Sequence, residues 1–267
     1  MCLSFVPRDA PVEVYAPGMV VLAAYSLYNN CMIKEYCFHN NIRLFVTDSL
    51  PDFLALESEG KTVIPILNDQ NRKLPWPHCD YALENPEETD EEYLYRIFLR
   101  MNNLPWTIIE TDRLIIREMI LTDVPEFYRI YEDEAVLKYM EPLYENPDEE
   151  EKYTQDYINQ IYRFYEYGIW TVIEKATGQV LGKAGLEPQK ENGFPDLGFV
   201  IESKKRGLGY AYEACYSILD YAKKELGLSK IQARVHPDNI ASVSLLKKLG
   251  FKDSGIKDKD LCLYIRQ

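Results

Sequence analysis

The chain has 267 residues, enough for one large or two modest domains. Its 46% hydrophobic and 27% charged residues match a water-soluble globular protein and exclude disorder, collagen and coiled coil. A net charge of −13 disfavours a nucleic-acid binder, because neutralising phosphates takes a net basic face. From the N-terminus, the first element expected is a buried strand over Ile42–Thr47, ended by Asp48-Ser49 and Pro51. A short helix over Asp52–Glu59 stops at Gly60, and Thr62–Leu67 is a second strand that Pro65 pushes to a sheet edge. After Asn85-Pro86, Asp90–Arg100 is a helix with Tyr93, Leu94, Ile97 and Phe98 on one stripe. Strand, helix, strand order predicts a parallel βαβ unit within a small α/β domain over residues 1–105. No chemistry is legible there. Asp48 stands at a strand end like the nucleophile of a haloacid-dehalogenase pattern, but the second aspartate that pattern needs is Leu50.

Asn102–Thr107 (NNLPWT) punctuates the chain, and a second domain is expected over 106–267. Arg113–Glu118 alternates as a strand and Asp123–Tyr131 reads as a helix. A longer helix runs from about Asp148 to Tyr167 and closes at Gly168. Trp170–Glu174 and Val180–Glu187 are strands joined by a hairpin at Ala176-Thr177-Gly178, followed by a strand at Leu197–Ile201. Next comes Lys204-Lys205-Arg206-Gly207-Leu208-Gly209-Tyr210-Ala211, then a one-sided helix to about Leu226. Lys230–Val235 is a strand, and Pro237-Asp238-Asn239 caps a helix that Gly250 stops.

The six cysteines (Cys2, Cys31, Cys37, Cys79, Cys215, Cys262) have no framework spacing, and those near His39 and His78 lack a zinc-type Cys-x2–4-Cys pair. No metal is expected. The N-terminus has no basic leader, and its longest apolar stretch, Met19–Tyr25, is too short to span a bilayer. A cytoplasmic protein with reduced thiols and no membrane partner is expected. Charge is segregated along the chain. Residues 107–202 carry nine basic and 21 acidic side chains, net −12, whereas residues 203–267 carry 13 and seven, net +6. That suggests an anion site in the last segment beside a surface that attracts cations.

Glycines where a strand feeds a helix allow backbone N–H groups close to a ligand, and the helix start adds a positive dipole end. With three cations alongside, Lys204 to Ala211 has what a pyrophosphate needs. A nicotinamide dehydrogenase is disfavoured, because the following strand ends in Arg234-Val235-His236 without the acid that would bind a ribose.

Arg206-x-x-Gly209-x-Ala211, a helix, a strand, then Asn239-x-x-Ser242 and Leu249-Gly250-Phe251 together resemble the GNAT acyltransferase superfamily. The likeness is greatest to its ribosomal-protein N-acetyltransferase (Rim-type) branch, whose first strand and helix Thr111-Asp112-Arg113-Leu114-Ile115-Ile116-Arg117 and Asp123 also resemble. The resemblance spans residues 110–267. It implies a mixed α/β (α+β) fold, the GNAT acyl-CoA N-acyltransferase fold, with a splayed sheet, flanking helices and acetyl-CoA as co-substrate. The N–H groups of Arg206, Gly207, Leu208, Gly209, Tyr210 and Ala211 would then hold the pyrophosphate. Phe199, Val200 and Ile201 would offer backbone to the pantetheine arm, and Asn239 would bind its amide.

Attack of a neutral amine on a thioester needs a base for the ammonium and an acid for the leaving thiolate. Asp196 opens the strand that would flank the thioester, where superfamily members often carry a glutamate, and is the expected base through water; Glu187 and Glu202 are weaker candidates. Its alternative is a strand-end turn residue. Many relatives place an acidic tyrosine seven residues beyond the motif asparagine, but that position is Leu246. Ser242 matches the Rim-type serine near the sulfur and is the expected donor, with a helix-capping hydroxyl as the alternative and Tyr264 as a distant one.

Nine of the 21 tyrosines lie between Tyr128 and Tyr167, among Glu141, Glu145 and Asp148–Glu151. This region either grips a cationic substrate or packs through Tyr153, Tyr157, Ile161 and Phe164. An α-amine, of pKa ~8 against ~10.4 for lysine, is neutral at pH 7 a few hundred times more often. A site without a tyrosine acid therefore favours a peptide N-terminus. Acetylation of a small amine (polyamine, amino acid or antibiotic), or an acyl-CoA-binding scaffold without turnover, are the alternatives.

Overall fold

The computed structural model describes residues 14–15, 19–20, 22–28, 31–39, 42–189 and 193–267, with side chains from residue 32 onward. Two compact units are formed by Met1–Leu104 and Pro105–Gln267. In the first, β1 (Val14–Tyr15) and β2 (Met19–Val20) make a two-stranded ribbon. A four-stranded sheet follows in the order β3 (Leu22–Tyr28), β4 (Cys31–Cys37), β5 (Arg43–Thr47), β6 (Thr62–Pro65). The β5–β6 pair is parallel and linked by α1 (Leu50–Ser58), which is the βαβ unit read from the sequence. As Pro65 implied, β6 forms the sheet edge. α2 (Glu91–Met101), capped by Asp90, adds Leu94 and Ile97 to a core containing Tyr36, Leu44, Val46 and Ile64. The β3–β4 pair has no counterpart in the sequence reading. Asp48 has a structural job, since its Oδ1 accepts a hydrogen bond from the Met32 N–H at 2.8 Å.

The second unit is built on β7 (Thr107–Glu110), β8 (Leu114–Arg117), β9 (Ile169–Glu174), β10 (Val180–Glu187), β11 (Asp196–Ile201), β12 (Ile231–Val235), β13 (Lys252–Asp258) and β14 (Leu261–Arg266). Its sheet order is β13-β14-β12-β11-β10-β9-β8-β7, antiparallel throughout except between β11 and β12. These two strands pair only at Asp196 and Gln232, and beyond that point they part. The helices are α3 (Val124–Tyr131), α4 (Glu134–Leu137), α5 (Pro147–Tyr157), α6 (Arg163–Tyr165), α7 (Tyr210–Lys224) and α8 (Ile240–Lys248). α7 lays Ala214, Cys215, Ile218, Leu219 and Ala222 on the sheet, where Trp170 is fully buried with its ring edge-on to Tyr221. Arg117 makes a bidentate pair with buried Asp123 at 2.6 and 2.7 Å, tying β8 to the start of α3.

The long helix expected over Asp148–Tyr167 is instead interrupted by a π turn at Ile158–Tyr162. The wider turn lets two tyrosines reach one strand residue. The Tyr162 hydroxyl donates to the Ile169 carbonyl, while the Tyr157 hydroxyl accepts from the Ile169 N–H at 2.8 Å. The expected packing stripe is incomplete: Tyr157 is buried, but Tyr153, before the π turn, and Phe164, after it, are exposed. Glu166, left-handed at φ +59°, ends the helix. Gly168 has another role, because a Cβ there would meet the Tyr162 ring at 2.8 Å. Among the described residues, no helix is long and apolar enough to cross a membrane.

Candidate active site

A cavity of about 590 Å³ opens where β11 and β12 part. The end of β11 (Phe199, Val200, Ile201), the turn into α7 (Arg206, Gly207, Gly209, Tyr210, Ala211) and the start of α8 (Asn239, Ser242) line it. These are residues that the sequence singled out from three separate segments. Leu208 is the member of the glycine turn that lies outside the lining; its side chain is exposed, and its carbonyl accepts from Arg113 Nη1 at 3.0 Å.

The turn is shaped by Gly207 at φ +76° and Gly209 at φ +86°, a region that L side chains rarely adopt. Gly209 is the N-cap of α7 and supplies no capping side chain. The first N–H groups of any α-helix lack intrahelical acceptors, so those of α7 face the cavity uncapped. At α8 the Asn239 Oδ1 accepts from the Ser242 N–H at 3.2 Å. Asn239 is therefore the cap, and the Ser242 hydroxyl is not; it makes no hydrogen bond among the described residues. Leu246 is buried in the core and is not part of the cavity lining.

The three cations of the turn are not equivalent. Lys205 pairs with Glu174 at 2.9 Å, and Glu174 also accepts from the Tyr210 hydroxyl and from Thr177 Oγ1. Hydrogen bonds from Tyr210 and Lys205 hold the Glu174 carboxyl down at about 2. Arg206 has no ion-pair partner among the described residues and reaches the Ala135 carbonyl at 3.5 Å. The opposite wall was missed by the sequence reading. It comes from Ala135, Val136, Tyr139 and Met140, on and after α4, a four-residue helix too short to carry a periodic signal. The Tyr139 hydroxyl donates to the Asp238 carbonyl at 3.0 Å, next to the α8 cap.

Asp196 lies at the closed end of the splay, outside the cavity lining. Its Oδ2 is 2.6 Å from Arg234 Nη1, and it stands directly opposite Glu187 across the β10–β11 pair. Burial pushes the Asp196 carboxyl up, against the lowering effect of Arg234. Burial also raises Glu187, which accepts from the Tyr157 hydroxyl at 3.0 Å. Because Trp170 and its pair partner Ala184 face α7, alternation along β10 puts Glu187 on the other face of the sheet. There Tyr157, Tyr153 and Tyr144 form a ladder with centroids 6.3 and 5.8 Å apart. Glu202, the other candidate base, is buried and paired with Arg129, which fixes it as a structural carboxylate. Tyr264 is buried in the sheet and does not line the cavity.

A family model described as an acetyltransferase (GNAT) domain matches residues 113–252. The uncharacterized N-acetyltransferase p20 of Bacillus licheniformis is 30% identical over 147 residues, which are 55% of this chain and 83% of that protein. The ribosomal protein uS5-alanine N-acetyltransferase of Escherichia coli is 28% identical over 167 residues, 58% of this chain and 82% of that one. Among solved structures, the ribosomal-protein-S5-alanine acetyltransferase of Vibrio fischeri superposes with a TM-score of 0.53 at 16% identity, covering 59% of this chain and 94% of that chain. The residues matched by the family model lie within the second unit and include those that line the cavity.

Proposed function

The chain belongs to the acetyltransferase (GNAT) family and is an N-acetyltransferase, and we propose that it transfers acetyl from acetyl-CoA to a primary amine, preferentially the α-amino group of a peptide N-terminus. Residues 106–267 are the catalytic domain in this reading, and 1–105 a separate α/β domain. The observation that carries it is the cavity in the splay, bordered by one capped and one uncapped helix start.

The residues present fit the co-substrate. Bound there, it supplies the acetyl thioester. The Arg206 N–H already donates to the Ser203 carbonyl at 3.1 Å, so of the expected set the N–H groups from Gly207 to Ala211 take the diphosphate at the positive end of α7, with the Arg206 side chain as a cation not already neutralised. Phe199 to Ile201 have no strand partner toward β12, so their backbone is open to the pantetheine arm. The Asn239 Oδ1 is engaged in capping, which leaves its amide nitrogen to donate to a ligand carbonyl. Ser242 Oγ, uncommitted beside the cavity, donates a hydrogen bond to the leaving sulfur and relays to it the proton that the attacking nitrogen loses as the new amide forms, so that the hydroxyl is restored. Asp196, at the closed end of the splay and paired with Arg234 through Oδ2, takes the ammonium proton through a chain of water, burial raising its proton affinity against the effect of Arg234.

An α-amine suits this machinery because it needs less help to lose its proton, by about 3 kcal/mol relative to lysine at neutral pH. The relative named for uS5-alanine acetylation supports the same acceptor class. The tyrosine ladder with Glu150 and Glu187 nearby is suited to a cation before it is deprotonated. Calorimetric titration with acetyl-CoA, using NADH as comparator, comes first: saturable one-to-one binding of acetyl-CoA alone is expected. Thiol release is then followed with a peptide bearing a free N-terminus, the same peptide N-blocked but with lysine, and spermidine. Turnover of the first is expected. Turnover of spermidine alone would move the assignment to small amines, and binding without any turnover would favour a scaffold.

A further inference from the structure

Arg113 and Leu208 are far apart in sequence, yet the turn between β7 and β8 reaches the glycine turn directly. Arg113 Nε and Nη2 donate to Glu213 Oε2 at 2.7 and 2.6 Å, and Nη1 donates to the Leu208 carbonyl at 3.0 Å. The guanidinium lies 4.4 Å from the centre of the Tyr210 ring. Glu213, in the first turn of α7, also accepts from Thr111 Oγ1 at 2.5 Å and from the Arg113 N–H at 3.2 Å. Although burial pushes its carboxyl up, the hydrogen bonds from Thr111 and Arg113 hold it below the usual range.

We propose that Arg113, locked by Glu213 and Thr111, is a positioning residue that fixes the Gly207–Gly209 turn and so aims its N–H groups at the diphosphate of acetyl-CoA. This rests on the co-substrate reading above. Three of the five guanidinium N–H donors are spent within the protein, on Glu213 and on the Leu208 carbonyl, and it is these bonds that tie the turn. From Glu213, one helical turn beyond Gly209, Arg113 reaches back to Leu208 and brackets Gly209 between a carbonyl and a carboxylate. Glu174 secures Lys205 and Tyr210 on the two flanks of the same turn, so the fork from Arg113 supplies the side-chain tie at its middle. A turn with two glycines in three residues has wide conformational freedom. Without that tie, ordering it would have to come from the ligand, and affinity would fall.

The fork needs a planar guanidinium, which lysine lacks. Arg113 is half-exposed, and the packing it contributes is its stack on the Tyr210 ring, a loss that the melting temperature reads. Calorimetry on the full chain with acetyl-CoA, ADP and acetyl-pantetheine tests the idea, with melting temperature as a fold control. Arg113→Lys and Arg113→Ala should both weaken acetyl-CoA and ADP about tenfold while leaving acetyl-pantetheine, which has no diphosphate, unchanged. Thr111→Val or Glu213→Gln, acting on the far side of the lock, should give the same selective loss at smaller size. Wild-type affinity in Arg113→Lys would overturn the proposal, since charge alone would then suffice. Equal weakening of acetyl-pantetheine would also overturn it, by showing a general structural defect. A wild-type chain that binds neither acetyl-CoA nor ADP would overturn the co-substrate reading itself, and the positioning role with it.

Discussion

Helices α7 and α8 begin beside the same cavity, yet their first turns are finished in opposite ways. α8 is closed by its own residue, with the Asn239 side chain accepting from the Ser242 N–H. α7 starts at a left-handed glycine with nothing to close it, and its neighbours are held by Glu174 and Arg113 from other parts of the sheet. A capped start needs no ligand. An uncapped one, kept rigid by partners that leave its N–H groups alone, is prepared for an anion.

The strongest way to break that contrast is to close α7 from within. Gly209→Asp puts a side chain where a left-handed backbone costs about 1–2 kcal/mol. It also sets a carboxylate on the N–H groups meant for phosphate. Acetyl-CoA affinity measured by calorimetry should fall at least roughly a hundredfold. Ser242→Ala tests whether α8 contributes chemistry besides its cap. Single-turnover acetyl transfer should slow by about tenfold to a hundredfold while the Kd for acetyl-CoA stays near wild type. An equal loss of affinity would make Ser242 a binding residue.

The support of the open turn should show in acid. The Glu174 carboxyl is lowered from its usual 4.5 to about 2, first by Tyr210 and then by Lys205. Its folded value lies below the unfolded one, so its contribution is fully present above pH 4.5 and is lost as pH falls toward 2. Urea melts of wild type and Glu174→Gln should therefore differ most at pH 6, draw together below pH 4.5 and converge only as pH reaches about 2. A constant gap would mean that the pair is not what holds Glu174 ionised. The smallest effect belongs to the capped helix. Asn239→Ala should cost about 1 kcal/mol of stability in urea, the ordinary value of a lost N-cap, with a further modest loss of acetyl-CoA affinity.

The elements that sequence reading found are those whose signals are local. β5 and β6 are apolar runs, α2 announces itself with Asp90 and a stripe, and the β9–β10 hairpin has Thr177-Gly178 at its turn. The glycine turn, Asn239 and Ser242 were legible for the same reason. Of what escaped, β3 (LAAYSLY), β7 (TIIE) and β14 (LCLYIR) are apolar runs that the same signal could have found, and the rest has no local signal. β13 is exposed along its whole length and rich in lysine and aspartate, so no alternation marks it as a strand. The π turn in the helix after Asn146 exists because Tyr157 and Tyr162 converge on Ile169, which lies beyond the helix. Glu202 looked like a possible base until Arg129 was found against it.

By itself, then, the sequence determined the strands β5, β6 and β8 to β12, most of the longer helices, that a glycine turn precedes one helix, and that an asparagine caps the next. These follow from backbone conformation and short-range hydrogen bonding, which neighbouring residues dictate. The tertiary structure alone decided that β11 and β12 part after a single pair, that α4 walls the resulting cavity, and which charges remain open within it. Glu174 takes Lys205 and Glu213 takes Arg113, while Arg206 is left facing the cavity without an acid. Those outcomes depend on which distant side chain arrives within hydrogen-bonding reach, and only the folded chain sets that distance.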